Sequence, residues 1–161
     1  MSEKKGIFGS QSKAQEKQYE REARLQYDPE IVKESNKKWN DYTKSQQEFI
    51  KEDGNRIYRD IVTQIEAGKE ANDSEVQAIL VEWHDHIRHF YEPTLAMLEG
   101  LGQLYNTSPD FIANFTEMHP DLPAFLETAI TQYVDDLETA ELERMLAEDD
   151  DSDSRANRLS Q

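Results

Sequence analysis

The chain has 161 residues, which is enough for one ordinary domain with short tails. Lys and Arg number 18 and Asp and Glu number 34, so the formal net charge is −16. A chain this acidic is not expected to bind nucleic acid directly or to lie on an anionic membrane. It contains no cysteine, which excludes disulfides, thiolate metal sites and covalent capture of a ligand through sulfur. No signal peptide or membrane span is visible, and we expect a soluble, cytoplasmic protein.

The N-terminal segment, residues 1–26, is charged and rich in amides, and its few apolar side chains are too sparse to form a continuous face. We predict that this segment is a flexible arm. The first helix is predicted to begin at Asp28-Pro29-Glu30, because Asp can cap a helix, Pro suits its first position and Glu favours its dipole. It is predicted to end near Trp39.

Two longer helices are predicted next. Thr43 and Gln46 form a capping-box pattern at the start of the first, and Gly68 is a natural stop for it. Gly54 lies on the apolar stripe of this helix, where the missing side chain invites a neighbouring helix or a ligand to approach closely. The second begins at Asp73 or Ser74 and has a clean amphipathic pattern, formed by Val76, Ile79, Leu80, Trp83, Ile87 and Phe90.

Breaks that contain proline divide the rest of the chain into three helical segments. Thr94 can cap the first of two short helices, and Ser108-Pro109-Asp110 starts the second. The break at residues 119–123 precedes a long amphipathic helix. No segment alternates apolar and polar residues as a strand would. We therefore predict an all-α chain, with one helical ligand-binding domain at residues 27–147 and an acidic, disordered tail at residues 148–161.

Three of the four histidines lie within residues 82–92, which raises the question of a metal site. At about 100° per residue, His84 and His86 lie on opposite borders of the apolar stripe and cannot share one ion. A metal-dependent hydrolase that uses the run from His84 to His89 is therefore the least favoured alternative. Structural or pocket-rim histidines are the simpler interpretation. Because no nucleophile motif or phosphate-binding glycine loop is present, we predict no enzyme activity, no metal and no cofactor.

Aromatic side chains indicate a function more clearly. The two short helices are too short to bury much alone, so they must cover something, and rings and histidines concentrate around them. A cleft lined by rings and rimmed by histidines is typical of a small-molecule pocket. We predict that Trp39, Trp83, Phe90, Tyr91, Tyr105 and Phe111 are stacking surfaces and that His84, His86 and His119 are polar contacts.

Six blocks of the sequence carry a family resemblance: Lys37-Lys38-Trp39-Asn40-Asp41, His86-Ile87-Arg88-His89-Phe90-Tyr91, Gly100-Leu101-Gly102-Gln103-Leu104-Tyr105, Pro109-Asp110-Phe111, His119-Pro120-Asp121-Leu122 and Ala129-Ile130. Taken in order, they resemble the TipAS antibiotic-recognition domain, the ligand-binding half of certain MerR-type regulators. The resemblance runs from about Tyr27 to Val134. It implies a globin-like all-α domain with a deep cleft for thiopeptide and related peptidic antibiotics, and an N-terminal segment that orders over the bound drug.

Three departures limit what the resemblance implies. In the family's founding member, a cysteine shortly after the Phe-Tyr pair is alkylated by the drug, whereas this chain has Pro93 there, so we expect reversible binding. The stretch from Trp39 to Gly54 is shorter than in the founding member and lacks the tryptophan usual near Gly54, which leaves the shape of the closing lid open. Few residues precede the match, and we expect a stand-alone, monomeric form without a DNA-binding domain.

Two classes of function remain at this point. The favoured one is non-covalent binding of a bulky, aromatic, peptide-like antibiotic, for resistance by sequestration or for sensing. The alternative is a regulatory interaction module whose acidic tail and arm dock a basic partner, such as a separate transcription regulator. Docking of a basic partner would weaken steeply with salt, whereas binding in an apolar cleft would depend little on it.

Overall fold

The computed structural model describes residues 29–159, with the side chains of residues 29–151. This part of the chain forms helices and no strand, which confirms the all-α prediction. The six helices are α1 (Pro29–Asp41), α2 (Lys44–Glu66), α3 (Ser74–Ile87), α4 (Leu95–Tyr105), α5 (Pro109–Met118) and α6 (Leu122–Leu159). The predicted arm, residues 1–26, lies outside the described residues. None of the described helices combines the length and the apolar character that a membrane crossing needs.

Local signals set where the helices begin. The hydroxyl of Thr43 accepts a hydrogen bond from the backbone N–H of Gln46 at 3.1 Å, and the Gln46 side chain accepts one from the Thr43 N–H at 2.8 Å. The predicted capping box of α2 is thus confirmed. Asp73 caps α3 through the N–H of Glu75, and Thr94 caps α4 through the N–H of Met97. Each cap satisfies a backbone donor that the helix itself leaves without a partner.

The first half of α6 is the central element of the core. It packs against α4 and α5, and it also contacts α3 and α2, which pack against each other. Gly102 lets α4 approach closely, because a Cβ at this position would lie 3.1 Å from Cβ and Cγ2 of Ile130. The side chains of α6 that fill the core recur at three- and four-residue spacing: Leu122, Leu126, Ala129, Ile130, Tyr133 and Val134.

The second half of α6 differs from the sequence prediction. Residues 148–161 were predicted to form a disordered tail, whereas α6 continues through them to Leu159. Once a helix is formed, each added residue contributes one backbone hydrogen bond, so extension does not require a core. Arg144 also forms ion pairs with Glu141 and Glu148 along the helix surface. All of residues 138–151 are exposed, so this part of α6 is solvated, as the acidic composition led us to expect.

The two halves of α6 should respond differently to truncation. Leu126 is fully buried and Leu142 is 58% exposed on the same helix. Leu126→Ala should lower the free energy of unfolding by about 2–5 kcal/mol, because it leaves a cavity in the core. Leu142→Ala is the matched control and should change it by less than about 0.5 kcal/mol. Urea denaturation followed by circular dichroism measures both values, and equal losses would contradict the assignment of the core to the first half.

Candidate functional site

An aromatic stack connects α1 to the end of α3. The rings of Trp39 and Phe90 lie 5.5 Å apart between centroids, with an interplanar angle of 27°. Phe90 follows the last turn of α3, and the Tyr42 hydroxyl beside it donates a hydrogen bond to the His89 carbonyl at 2.6 Å. The Lys38 ammonium donates another to the Arg88 carbonyl at 2.9 Å. These contacts attach the C-terminal turn of α1 to the body of the domain.

His86 lies behind this stack, against a glycine of α2. Its ring is in edge contact with Phe90, at 5.6 Å between centroids, and with His89 at 6.0 Å. A Cβ on Gly54 would lie 2.8 Å from both Cε1 and Nε2 of His86, so only glycine leaves room for this ring. The close approach predicted at Gly54 is therefore confirmed, and the group that approaches is an imidazole. We call Trp39, Tyr42, Gly54, His86, His89 and Phe90 the Trp39 cluster.

Burial determines the charge of His86. The side chain is 2% exposed, and this desolvation lowers the pKa of the imidazole to about 4. The neighbouring His89 and Arg56 lower the pKa further, while Asp53 opposes them. His86 is accordingly neutral at pH 7, and a neutral imidazole has one nitrogen that donates and one that accepts a hydrogen bond. The Trp39 cluster thus combines apolar ring faces with the uncharged imidazole of His86.

Two further residues, one in contact with Trp39 and one adjacent to Gly54 in the chain, were not predicted from the sequence. The ammonium of Lys51 lies 5.9 Å from the centroid of the Trp39 ring, within the range of a cation–π contact. Asn55 follows Gly54 and is fully buried, and its side-chain nitrogen and oxygen have no hydrogen-bond partner among the described residues. A buried amide of this kind is uncommon. The one feature of the sequence that could have indicated Asn55 is an amide side chain beside the apolar stripe of α2.

Three of the predicted stacking residues lie in the core instead of beside Trp39. The indole N–H of Trp83 donates to the Tyr105 hydroxyl at 3.4 Å, and Trp83 has no exposed surface. Phe111 contacts the Tyr105 ring at 5.1 Å between centroids and is also buried. These rings pack with one another and with neighbouring core side chains. In this arrangement they support the shape of α3 and α4.

The remaining predicted residues are dispersed. His84 is buried, with Nδ1 2.8 Å from the Tyr133 hydroxyl and Nε2 3.1 Å from a guanidinium nitrogen of Arg88. Since Arg can only donate, Nε2 accepts and Nδ1 carries the proton. Burial, and then the charge of Arg88, lower the pKa of His84. Nδ1 of His119 accepts from the N–H of Asp121 at 3.0 Å and so stabilises the turn before α6.

Tyr91 is partly buried against the core. The histidine run does not converge on one point, because His84 contacts α6 while His86 faces α2. Within the described residues, no three histidine, aspartate or glutamate side chains are grouped so that they could hold a metal ion. Of the nine predicted residues, Trp39, His86 and Phe90 meet in the Trp39 cluster, and Trp83, Tyr105 and Phe111 meet in the core.

Comparisons with known proteins agree with the resemblance seen in the sequence. The TipAS antibiotic-recognition domain family matches residues 19–133 of this chain. The chain is 33% identical over 118 residues to the HTH-type transcriptional activator mta of Bacillus subtilis (strain 168). That similarity covers 73% of this chain and 45% of the activator, so the chain spans less than half the length of this relative.

A solved structure is similar in fold. It is TipAS in complex with nosiheptide, described as the structural basis of a thiopeptide antibiotic multidrug resistance system from Streptomyces lividans. The TM-score is 0.68 at 23% sequence identity, and the match covers 79% of this chain and 88% of that chain. At this level of identity, the comparison shows a shared helical arrangement.

The low pKa of His86 predicts a loss of stability in acid. The unfolded chain binds a proton at this histidine below about pH 6.5, whereas the folded chain does so only near pH 4. The free energy of unfolding should therefore fall by up to about 3 kcal/mol as the pH drops through this window, then level off. The His86→Gln variant, which cannot titrate there, is the control. Urea denaturation at a series of pH values should show the extra loss in the wild type alone, and parallel curves would contradict it.

The contact between Gly54 and His86 predicts that the effect of Gly54→Ala on the free energy of unfolding changes sign when the imidazole is removed. In the wild type, Gly54→Ala should lower the free energy of unfolding by about 1–3 kcal/mol, because overpacking against the imidazole outweighs the gain in helix propensity. In a His86→Ala background the ring is gone, and the same substitution should raise it by about 1 kcal/mol. Urea denaturation of the four proteins measures this, and the same sign in both backgrounds would show that the contact is not made.

Proposed function

Since the chain belongs to the TipAS antibiotic-recognition domain family, we propose that it binds bulky, aromatic, peptide-like antibiotics of the thiopeptide kind, reversibly and without catalysis. The family match spans most of the chain. The structural relative TipAS is in complex with the thiopeptide nosiheptide. Because this sequence has no cysteine, capture of the drug through a thioether is excluded, and the proposed affinity comes from non-covalent contacts.

The observation that carries the proposal is the Trp39 cluster. It joins α1 to the end of α3, beside Gly54 in the middle of α2, through ring contacts and a few hydrogen bonds. Among the described side chains of α1 only Val32 is buried. A helix attached in this way can move away from the domain at a small cost in buried area. A ligand with flat aromatic rings could then replace the contact between Trp39 and Phe90 with contacts of the same type.

Each side chain of the proposed site has a distinct role. Trp39 and Phe90 are the stacking surfaces, and the neutral imidazole of His86 is a polar contact that adds no net charge. The amide of Asn55 would hydrogen-bond a peptide group of the ligand, which has the same donor and acceptor. The core residues Trp83, Tyr105 and Phe111 would act mainly by supporting α3 and α4. Tyr91, next to Phe90, would be a contact at the rim. His84 and His119, which are bonded to Tyr133 and to the turn before α6, would contact the drug only where it extends past the Trp39 cluster.

We propose further that the N-terminal arm orders over the bound drug. Folding of a disordered segment on binding buries apolar surface and gives a negative heat-capacity change with a gain of helix. The same binding step would serve sequestration of the drug or its sensing together with a separate regulator. Neither role requires the chain to bind nucleic acid itself.

Titration with nosiheptide tests this proposal. Tryptophan fluorescence of the full chain should show saturable quenching at micromolar or tighter affinity, and mass spectrometry should detect no covalent adduct. Calorimetry at several temperatures should show the negative heat-capacity change. Trp39→Ala should weaken binding by at least about tenfold, because it removes a stacking surface. Phe49→Ala is the matched control, since Phe49 is 66% exposed on α2 and lies outside the Trp39 cluster, and it should bind as the wild type does.

Two different outcomes test the antibiotic-binding function and the assignment of the Trp39 cluster separately. If a panel of thiopeptides and other aromatic peptide antibiotics gives no response with folded protein, the antibiotic-binding proposal is wrong. If the drug binds but Trp39→Ala and Phe49→Ala have the same affinity as the wild type, the function stands and the assignment of the Trp39 cluster is wrong.

A further inference from the structure

Beyond the drug-binding function, we propose that the exposed second half of α6 is a docking surface for a basic amphipathic helix of a partner protein. Three of the large apolar side chains exposed among the described residues lie here: Leu142 at 58%, Met145 at 51% and Leu146 at 56%. Their three- and four-residue spacing places them on one face of the helix. The other two, Phe49 and Val81, lie singly on α2 and α3. Single exposed apolar residues are ordinary, whereas a contiguous patch is typical of an interaction site.

The patch is surrounded by carboxylates. At about 100° per residue, Glu138 and Asp149 lie at its two ends along the helix, and Glu143 and Asp150 lie along one edge. None of these four forms an ion pair within the described part of the chain. Glu141 and Glu148 lie along the other edge, where Arg144 on the opposite side of α6 forms ion pairs with both. Residues 138–151 contain seven carboxylates and one arginine in total.

This charge pattern selects the partner. Two copies of the surface would bring like charges together along their whole length, and a membrane with anionic lipids or a nucleic acid would be repelled in the same way. A helix with Leu-type side chains at i, i+3, i+4 and i+7 and with Lys or Arg along both edges would match the apolar patch and the carboxylates together. Three apolar side chains form a small contact, so we expect a transient partner.

Fluorescence anisotropy with the full chain tests this proposal. The probe is a labelled 18-residue peptide that has Leu at helical a and d positions and Lys elsewhere. We expect saturable one-to-one binding that weakens as salt is raised from about 50 to 300 mM, because the charges are exposed. A double substitution, Leu142→Gln with Leu146→Gln, should weaken binding by on the order of tenfold. The matched control, Phe49→Gln with Val81→Gln, should bind as the wild type does.

A second peptide and two further measurements test whether something other than a basic helix occupies the exposed half of α6. A peptide with Glu in place of Lys should not bind, and equal affinity for both peptides would overturn the choice of a basic partner. Binding that the Leu142 and Leu146 substitutions leave unchanged would show general attraction to an acidic chain and would overturn the docking surface. Light scattering that detects a dimer, dissociated by these substitutions, would make a second copy the occupant. Hydrogen exchange at residues 138–151 that is slow in the free monomer and faster in the Leu142→Gln, Leu146→Gln variant would mean that the chain covers this face itself, which also overturns the proposal.

Discussion

Five aromatic rings in mutual contact at the centre of the domain determine how its helices are arranged. Tyr58 of α2, Trp83 of α3, Tyr105 of α4 and Phe111 and Phe115 of α5 meet there, with neighbouring centroids 4.9–6.3 Å apart. The hydroxyl of Tyr105 accepts hydrogen bonds from the Tyr58 hydroxyl and the Trp83 indole. Burial raises the pKa of Tyr105, so its hydroxyl stays neutral. Four helices thus share one contact that combines apolar burial with directed hydrogen bonds.

This contact fixes the orientation of α3, and the orientation of α3 places the residues of the candidate site. Trp83 and Ile87 face the core, which leaves His84 directed to Tyr133 on α6 and His86 directed to Gly54 on α2. Phe90, beyond the last turn, then meets Trp39 of α1. The Trp39 cluster therefore lies at the margin of a rigid core, and one of its sides is a helix with few contacts. This combination suits a site that must admit a large ligand and still hold its contact residues in place.

The domain has two regions of different physical character. The Trp39 cluster is aromatic and contains a neutral imidazole, so contacts there depend on shape and apolar area. The exposed half of α6 is strongly acidic, so contacts there depend on charge and are weakened by salt. On the two proposals made above, the chain would bind the drug at one surface and a basic protein at another without competition between the two ligands. The sensing role would require such a division, because a drug-binding chain must also reach a regulator.

The amino-acid sequence by itself determined the helical class and most helix boundaries, since caps, prolines and glycines act within a few residues. Thr43, Asp73, Thr94 and Gly68 are used as their local patterns predicted. The ordered blocks around Trp39, His86 and Phe90 also indicated the family. Gly54 could be identified from the sequence as a place of close approach, but the group that approaches could not.

The tertiary structure decided which side chains share a surface. Trp83 and Phe90 belong to one periodic stripe in the sequence. Trp83 is buried in the core, whereas Phe90 lies past the end of α3 and packs against α1. Periodicity identifies the face of a helix, but what packs on that face depends on residues distant in the chain. For the same reason His84 and His86, two residues apart on one helix, contact different helices, and His119 lies in the turn before α6. The length of α6 was underestimated because helix extension needs only backbone hydrogen bonds and local ion pairs, not an apolar pattern.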